Sequence, residues 1–251
     1  MTDAAARWRQ LPLPFAHEPQ FDAADLLAAA SNSEALTWLG PNIAWPQRRL
    51  ALWGPEGCGK THMLHAWATR VGARRLAGST LPADPERPDQ PLAIDDADTA
   101  AERPLLHLLN ACGETGRHVL LAARTAPSRW AVSLPDLASR LRAMTAVEIR
   151  PPEESLLRAL LARLLAERQL AVAEPIQEWL ILRLPRTPAA MREAAARLDR
   201  AALVAGGRVT RGVAADVARA MAEPDAPAPP ANHEDFAQPP SAASTAAPCL
   251  L

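Results

Sequence analysis

Tyrosine is absent from this chain, and lysine nearly so: of 27 basic residues, 26 are arginine and the only lysine is Lys60. A lysine kept in a chain otherwise committed to arginine marks a position that needs a compact point charge, which the planar guanidinium fork does not supply. Long apolar runs are also missing. Nothing approaches the roughly 18 consecutive apolar residues of a membrane-spanning helix, because the 49% hydrophobic content is inflated by alanine. The three cysteines, Cys58, Cys112 and Cys249, are odd in number and lack C-x-x-C spacing, so no disulfide framework is expected. Neither charge dominates. With 27 basic against 28 acidic residues and a pI near 6.6, there is no broad polycationic surface, and strong direct DNA binding is not expected. Residues 1 to 10 hold no apolar core followed by a small-residue cleavage site, and a reducing cytoplasm is the expected compartment. At 26.9 kDa the chain has the size of one large domain or two small ones.

What is present is ordered along the chain. Residues 1–20 contain Gln10-Leu11-Pro12-Leu13-Pro14-Phe15, whose prolines exclude a helix interior and favour an extended, exposed tail. From residue 21 to about 150, β-type runs at 49–53, 74–77, 92–95, 118–123 and 146–149 alternate with helical segments at 23–30, 33–39, 60–71, 103–115 and 134–142. The last of these is preceded by Ser133 as a candidate cap. This alternation predicts a five-stranded parallel α/β sheet covered on both faces. After Pro151-Pro152 the pattern becomes helical only, opening with a leucine stripe at Leu156, Leu157, Leu160, Leu161, Leu164 and Leu165. Further helices are predicted at 174–184, 188–205 and 210–221, giving a small all-α unit over 151–222. Residues 223–251 are rich in Pro, Ala and Ser and are expected to be disordered.

Directly after the strand ending at Trp53 stands Gly54-Pro55-Glu56-Gly57-Cys58-Gly59-Lys60-Thr61, with His62 following at the start of a predicted helix. It matches G-x-x-x-x-G-K-[ST] at every specified position and in the required strand–loop–helix context. Three glycines let backbone wrap a di- or triphosphate, the helix N-terminus adds N–H donors, Lys60 meets the β- and γ-phosphates, and Thr61 offers a hydroxyl to Mg²⁺. The pattern thus implies ADP or ATP with Mg²⁺. The alternative, a glycine-rich turn that binds nothing, leaves the lone lysine unexplained. A second strand ends in Asp95-Asp96, placing carboxylates at the same edge of the sheet. Asp95 is expected to hold Mg²⁺ through water, and Asp96 to polarise an attacking water. Taken alone, the pair could equally cap the next helix.

With both elements in place, the chain resembles the AAA+ nucleotide-binding proteins, in the branch that contains the bacterial replication initiator DnaA. The resemblance is carried by Phe21-Asp22, Gly59-Lys60-Thr61-His62-Met63-Leu64-His65-Ala66, Ile94-Asp95-Asp96, Leu108-Leu109-Asn110 and Leu137-Ala138-Ser139-Arg140-Leu141. It covers roughly residues 21–221, a sheet domain and a helical lid, with only the low-complexity tail where the initiator carries a DNA-binding helix-turn-helix domain. Such a layout is similar to that of the DnaA-related regulators, which implies two partners: the DnaA initiator and the DNA polymerase III β sliding clamp. The clamp-binding motif would be Gln10, Leu11, Leu13, Pro14 and Phe15. Gln10 can hydrogen-bond through both ends of its amide, and Leu13 and Phe15 supply apolar anchors. Taken by itself the hexapeptide reads more simply as a proline-rich leader packing on its own domain; joined to this domain architecture, the clamp-binding reading is the one expected.

The resemblance also implies two arginine roles. Arg140 matches the finger that reaches a neighbouring subunit's γ-phosphate; its alternative is a helix-terminal arginine pairing with Asp136 at i, i−4. Arg192 matches the lid arginine that leans onto the nucleotide; its alternative is a solvated arginine beside Arg197 and Arg200. One departure stands out. The fourth strand runs Leu120-Leu121-Ala122-Ala123-Arg124-Thr125, with alanines where related ATPases carry a polar residue that orients water, which implies slow intrinsic hydrolysis. Residues 81–89 are short and proline-rich, leaving little room for DNA-contacting insertions. His62, His65, His107 and His118 have no metal-binding spacing with cysteine or carboxylate. The expected function is a nucleotide-bound adaptor that stimulates ATP hydrolysis by DnaA and so prevents re-initiation. The rivals are an autonomous AAA+ ATPase such as a helicase loader and a clamp-tethered scaffold; a homodimer is compatible with each.

Overall fold

The computed structural model describes residues 26–83, 86–204 and 208–222. The hexapeptide Gln10 to Phe15, the Phe21-Asp22 pair and the tail expected to be disordered lie outside the described residues. Five strands form one sheet: β1 (Arg49–Trp53), β2 (Arg74–Ala77), β3 (Leu92–Asp95), β4 (Val119–Ala123) and β5 (Thr145–Glu148). Their order across the sheet is β2-β3-β4-β1-β5, and every neighbouring pair is parallel. Parallel strands need crossovers, and here helices supply most of the covering. α1 (Ser33–Trp38), α2 (Lys60–Val71), α3 (Glu102–Thr115) and α4 (Pro135–Ala143) flank the sheet.

The two faces follow from side-chain alternation. Leu50, Leu52, Leu120, Ala122 and Val147 pack with Met63, Leu64 and Trp67 of α2 on one face. Ala51, Leu92, Ile94, Val119 and Leu121 pack with Leu105, Leu109, Leu137 and Leu141 of α3 and α4 on the other. Burial on both faces is why these strands read as continuous apolar runs. A third core belongs to α5 (Glu154–Glu167), α6 (Glu174–Ile181), α7 (Pro188–Val204) and α8 (Arg211–Ala222), with Leu157, Leu161, Leu180, Met191 and Leu198 at its centre. Among the described residues no helix is long and apolar enough to cross a membrane.

Two sequence expectations are corrected. Residues 26–29, predicted as the end of a helix over 23–30, have no regular structure, and residue 30 is a turn. Leu26 packs on the sheet core and Leu27 on the helical core, so this stretch runs between two cores and cannot bury a single helical stripe. Its amides are satisfied by side chains: Ala29 N–H donates to Asn32 Oδ1 at 2.8 Å and Ala30 N–H to Glu153 Oε1 at 2.8 Å. Ser133 does not cap α4 either. The carboxylate of Glu102, in the first turn of α3, accepts from Ser133 N–H, Ser133 Oγ–H and Leu134 N–H at 2.8–2.9 Å, and Pro135 opens the helix. A side chain 31 residues earlier therefore sets the start of α4.

The helical unit is expected to depend on its own core. Leu198→Ala, at a fully buried position, should cost about 2–5 kcal/mol by denaturant unfolding, with α7 and α8 losing amide-exchange protection before the sheet does.

Candidate functional site

The loop 54–59 leaves the sheet between two neighbours of β1. Ile149 N–H donates to Trp53 O at 2.7 Å, and Gly54 N–H donates to Ala123 O at 3.2 Å. The chain passes so close to β5's continuation that a Cβ on Gly54 would stand 2.1 Å from Ile149 O. Gly59, at φ +103°, turns directly into α2 with no side chain capping the helix, so the first-turn N–H groups of α2 lack the usual capping partner. Lys60 folds back inside this turn. Its Nζ donates to Gly54 O and Pro55 O, each at 2.8 Å, and the residue is only 8% exposed. Cys58 Sγ lies 3.8 Å from the same ammonium. Glycine at the closest backbone approach, a cation at the centre and a helix N-terminus beside it form a cradle suited to phosphate groups.

The acidic residues emerge at the same edge. β4 lies between β3 and β1, and the paired registers Ile94 with Leu121 and Leu121 with Ala51 put Asp95 level with Leu52. Asp95 Oδ1 accepts from Asp96 N–H at 3.1 Å. Asp96 adopts φ 46°, a left-handed conformation, and is exposed. Its side chain does not cap the short turn that follows, so the capping alternative is not the one taken. Sequence reasoning missed Asp98. Its Oδ2 accepts from Arg124 N–H at 3.1 Å, tying the turn after β3 to the end of β4 where Ala122 and Ala123 stand. Ala122 and Ala123 themselves are fully buried and present no polar group. The signal available in the sequence was a third carboxylate two residues beyond the Asp95-Asp96 pair.

Two lid residues reach the loop. Thr187 accepts from Ala190 N–H at 3.1 Å at the start of α7, and its methyl would stand 2.6 Å from a Cβ on Gly57. One turn further, Arg192 Nη2 contacts Nδ1 of His62, which is buried in the first turn of α2. Arg197 and Arg200 behave differently: both reach Glu193, at 2.6 and 3.7 Å, on the exposed side of α7. Arg197 also donates from Nη1 to Ala220 O of α8 at 3.0 Å, so the solvated-arginine alternative describes the exposed Arg200 and not Arg192.

Arg140 is not part of this assembly. On α4 its Nη2 donates to Asp136 Oδ2 at 3.3 Å, and its Nε pairs electrostatically with Oδ1 at 3.1 Å without the geometry of a hydrogen bond. The i, i−4 pairing weighed from the sequence is thus formed in the isolated chain. Behind it lies Arg49, buried at the opening of β1, with Nη2 donating to Leu109 O at 2.9 Å. Burial first, and then the nearby Arg140 charge, lower the pKa of Arg49. Arg140 therefore sits at the N-terminal edge of the strand whose C-terminal edge carries the phosphate loop. Five residues at about 3.3 Å each separate the two ends by about 15 Å, beyond the reach of one arginine side chain.

Neither described cysteine is activated. Burial pushes the Cys58 thiol up despite the neighbouring Lys60, and pushes Cys112 up to about 11. With Cys249 replaced by serine, both thiols are expected to resist a disulfide reagent at pH 8 in the folded protein and to react once guanidinium unfolds it.

No protein-family model matches the chain. Its architecture is shared with domain III of the Thermotoga maritima replication initiation protein DnaA, at 16% identity over 82% of this chain and 99% of that one, with a TM-score of 0.67. AMPPCP-bound DnaA from Aquifex aeolicus matches at 17% identity over 73% of this chain and 65% of that one, with a TM-score of 0.56. The Thermotoga maritima RuvB Holliday junction branch migration motor matches at 18% identity over 68% and 61%, with a TM-score of 0.54. The chain thus spans a little under two thirds of the lengths of these last two proteins. At such identities the likeness is one of fold: a five-stranded parallel sheet covered by helices, followed by a small all-helical unit.

Proposed function

We propose that the protein is a nucleotide-binding adaptor of the kind represented by Hda, which docks on the replication sliding clamp and stimulates ATP hydrolysis by DnaA. Lys60 and the backbone of Gly54 to Gly59, including Pro55, Glu56, Gly57 and Cys58, would hold the phosphates of ADP or ATP. The cradle fits that role because side chains are excluded at Gly54 and Gly57, and because the ammonium is already centred on the loop. Thr61 and Asp95 would hold Mg²⁺, which neutralises phosphate charge when bound. Arg192 would approach from the lid, so that lid position follows the state of the site.

The observation that carries the proposal is the position of Arg140 at the far edge of the sheet, partly exposed and away from its own loop. An arginine so placed does not reach the phosphates of its own loop and is available to those of a neighbour. In this reading Arg140 exchanges Asp136 for the γ-phosphate of ATP bound to DnaA and stabilises the charge that develops as water attacks and the bond to the β-phosphate oxygen breaks. Docking through Gln10, Leu11, Leu13, Pro14 and Phe15 on a clamp loaded on DNA raises the effective concentration of the protein near DnaA without direct DNA contacts, which suits a net charge of −1.

One observation favours a second reading. The exposed, uncapped Asp96 carboxylate could activate water in the chain's own site, which would make the protein an autonomous ATPase completed by Arg140 of a like subunit.

The test is ATP hydrolysis by DnaA with clamp loaded on DNA, adding wild type, Arg140→Ala, or Gln10→Ala with Phe15→Ala. Wild type should accelerate hydrolysis. Arg140→Ala should lower the stimulated rate by about 10³-fold or return it to the unstimulated rate, and the double variant should lose its clamp dependence. Brisk turnover by the isolated protein with no effect on DnaA would establish the second reading instead.

A further inference from the structure

The contact between Arg192 and His62 joins positions 130 residues apart, and it is the point where the lid meets the first turn of the loop helix. His62 is 5% exposed, two residues beyond Lys60, on a helix whose neighbouring residues Met63 and Leu64 are buried in the sheet core. Its ring is therefore packed on a fixed element. Arg192 comes from the second turn of α7, where Met191, Ala194 and Ala195 are buried in the lid core and carry no group able to accept a hydrogen bond from a guanidinium. A guanidinium half-buried against such a surface needs acceptors, since unpaired N–H groups there cost free energy.

The kind of acceptor matters. An imidazole that accepts at Nδ1 is neutral, with its proton on Nε2. It gives the guanidinium a direction without adding negative charge. A carboxylate at the same place would form an ion pair that incoming phosphate must break, as Glu193 does for Arg197 and Arg200 on the same helix. Thr187 against Gly57 supplies a second point of seating, five residues before Arg192.

We propose that His62 is a positioning residue for Arg192: its Nδ1 holds the lid arginine at the phosphate loop before nucleotide binds, so that binding does not have to order that side chain. This rests on the nucleotide-binding reading above. Preorganisation of this kind appears as affinity, because the rotamer cost is met in the free protein.

The experiment uses the full chain and a fluorescent ADP analogue with Mg²⁺, comparing wild type with His62→Ala, His62→Asn, Arg192→Ala and the double alanine variant. His62→Ala should weaken binding about tenfold, the effect of losing one hydrogen bond to a charged group. His62→Asn should stay within about threefold of wild type, because its Oδ1 can accept where Nδ1 did. The double variant should be no weaker than Arg192→Ala alone, the signature of two residues acting through one contact. Without nucleotide, hydrogen exchange should accelerate in the first turns of α7 in His62→Ala, while β1 and β4 stay protected. Additive losses, unchanged affinity in His62→Ala, or an asparagine variant as weak as alanine would overturn the proposal. If wild type itself does not bind the analogue, the nucleotide reading falls. The exchange experiment then decides alone whether His62 anchors Arg192, and unchanged exchange in α7 rejects it.

Discussion

A buried ammonium must be surrounded by acceptors, and in this protein the only lysine of the chain meets that demand with the carbonyls of Gly54 and Pro55. The contact imposes a shape. For these carbonyls to turn onto Nζ, the chain has to curl tightly after β1, and it does so against Ile149 O, where only glycine fits. Gly59 then turns directly into α2, so Lys60 and the uncapped start of a helix face the same space. The sheet supports this from below: β1 is an interior strand, hydrogen-bonded to β4 and β5, and its neighbours hold both Trp53 and Gly54 in place. The lid is seated on the same loop through Thr187 and Arg192. Loop, sheet edge and lid are thus parts of one arrangement organised by a single cation.

The strand direction that builds this edge also determines what the opposite edge can do. All five strands run the same way, so their C-terminal ends gather the loop, Asp95, Asp96 and the end of β4, while Arg49 and Arg140 lie at the beginning of β1. A strand of five residues is too long for the two ends to share one ligand. The separation of these two groups of residues on one domain follows from topology. The like charge of Arg49, buried behind Arg140, further disfavours an inward path for the Arg140 side chain.

Much of this was legible from residues alone. The bounds of β1, β2, β3 and α2 agree with their sequence-based ranges, because each run is stopped by a glycine or a carboxylate: Gly54, Gly78, Asp95-Asp96 and Gly72. The loop 54–61 was legible for the same local reason. What was not legible depends on pairs distant in sequence. Residues 26–30 have apolar spacing compatible with a helix, yet Leu26 and Leu27 serve different cores and Glu153 claims Ala30 N–H. Ser133 looked like a cap, but Glu102 takes that role from 31 residues upstream. Asp98 stands in the sequence as a third carboxylate beside Asp95 and Asp96, but its bond to Arg124 N–H, like the meeting of His62 with Arg192, is a contact of the folded state that local sequence does not announce.

The proposed function requires Lys60 to be the charge that a nucleotide phosphate meets. The most direct measurement is calorimetric titration of ADP with Mg²⁺ into wild type, Lys60→Ala and Lys60→Arg. Wild type should bind, and both variants should lose affinity by about 100-fold or more, the arginine variant included, because its planar fork cannot take the place of a point charge between two carbonyls and a phosphate. Binding that survives in either variant, or that is absent from the wild type, would contradict the account.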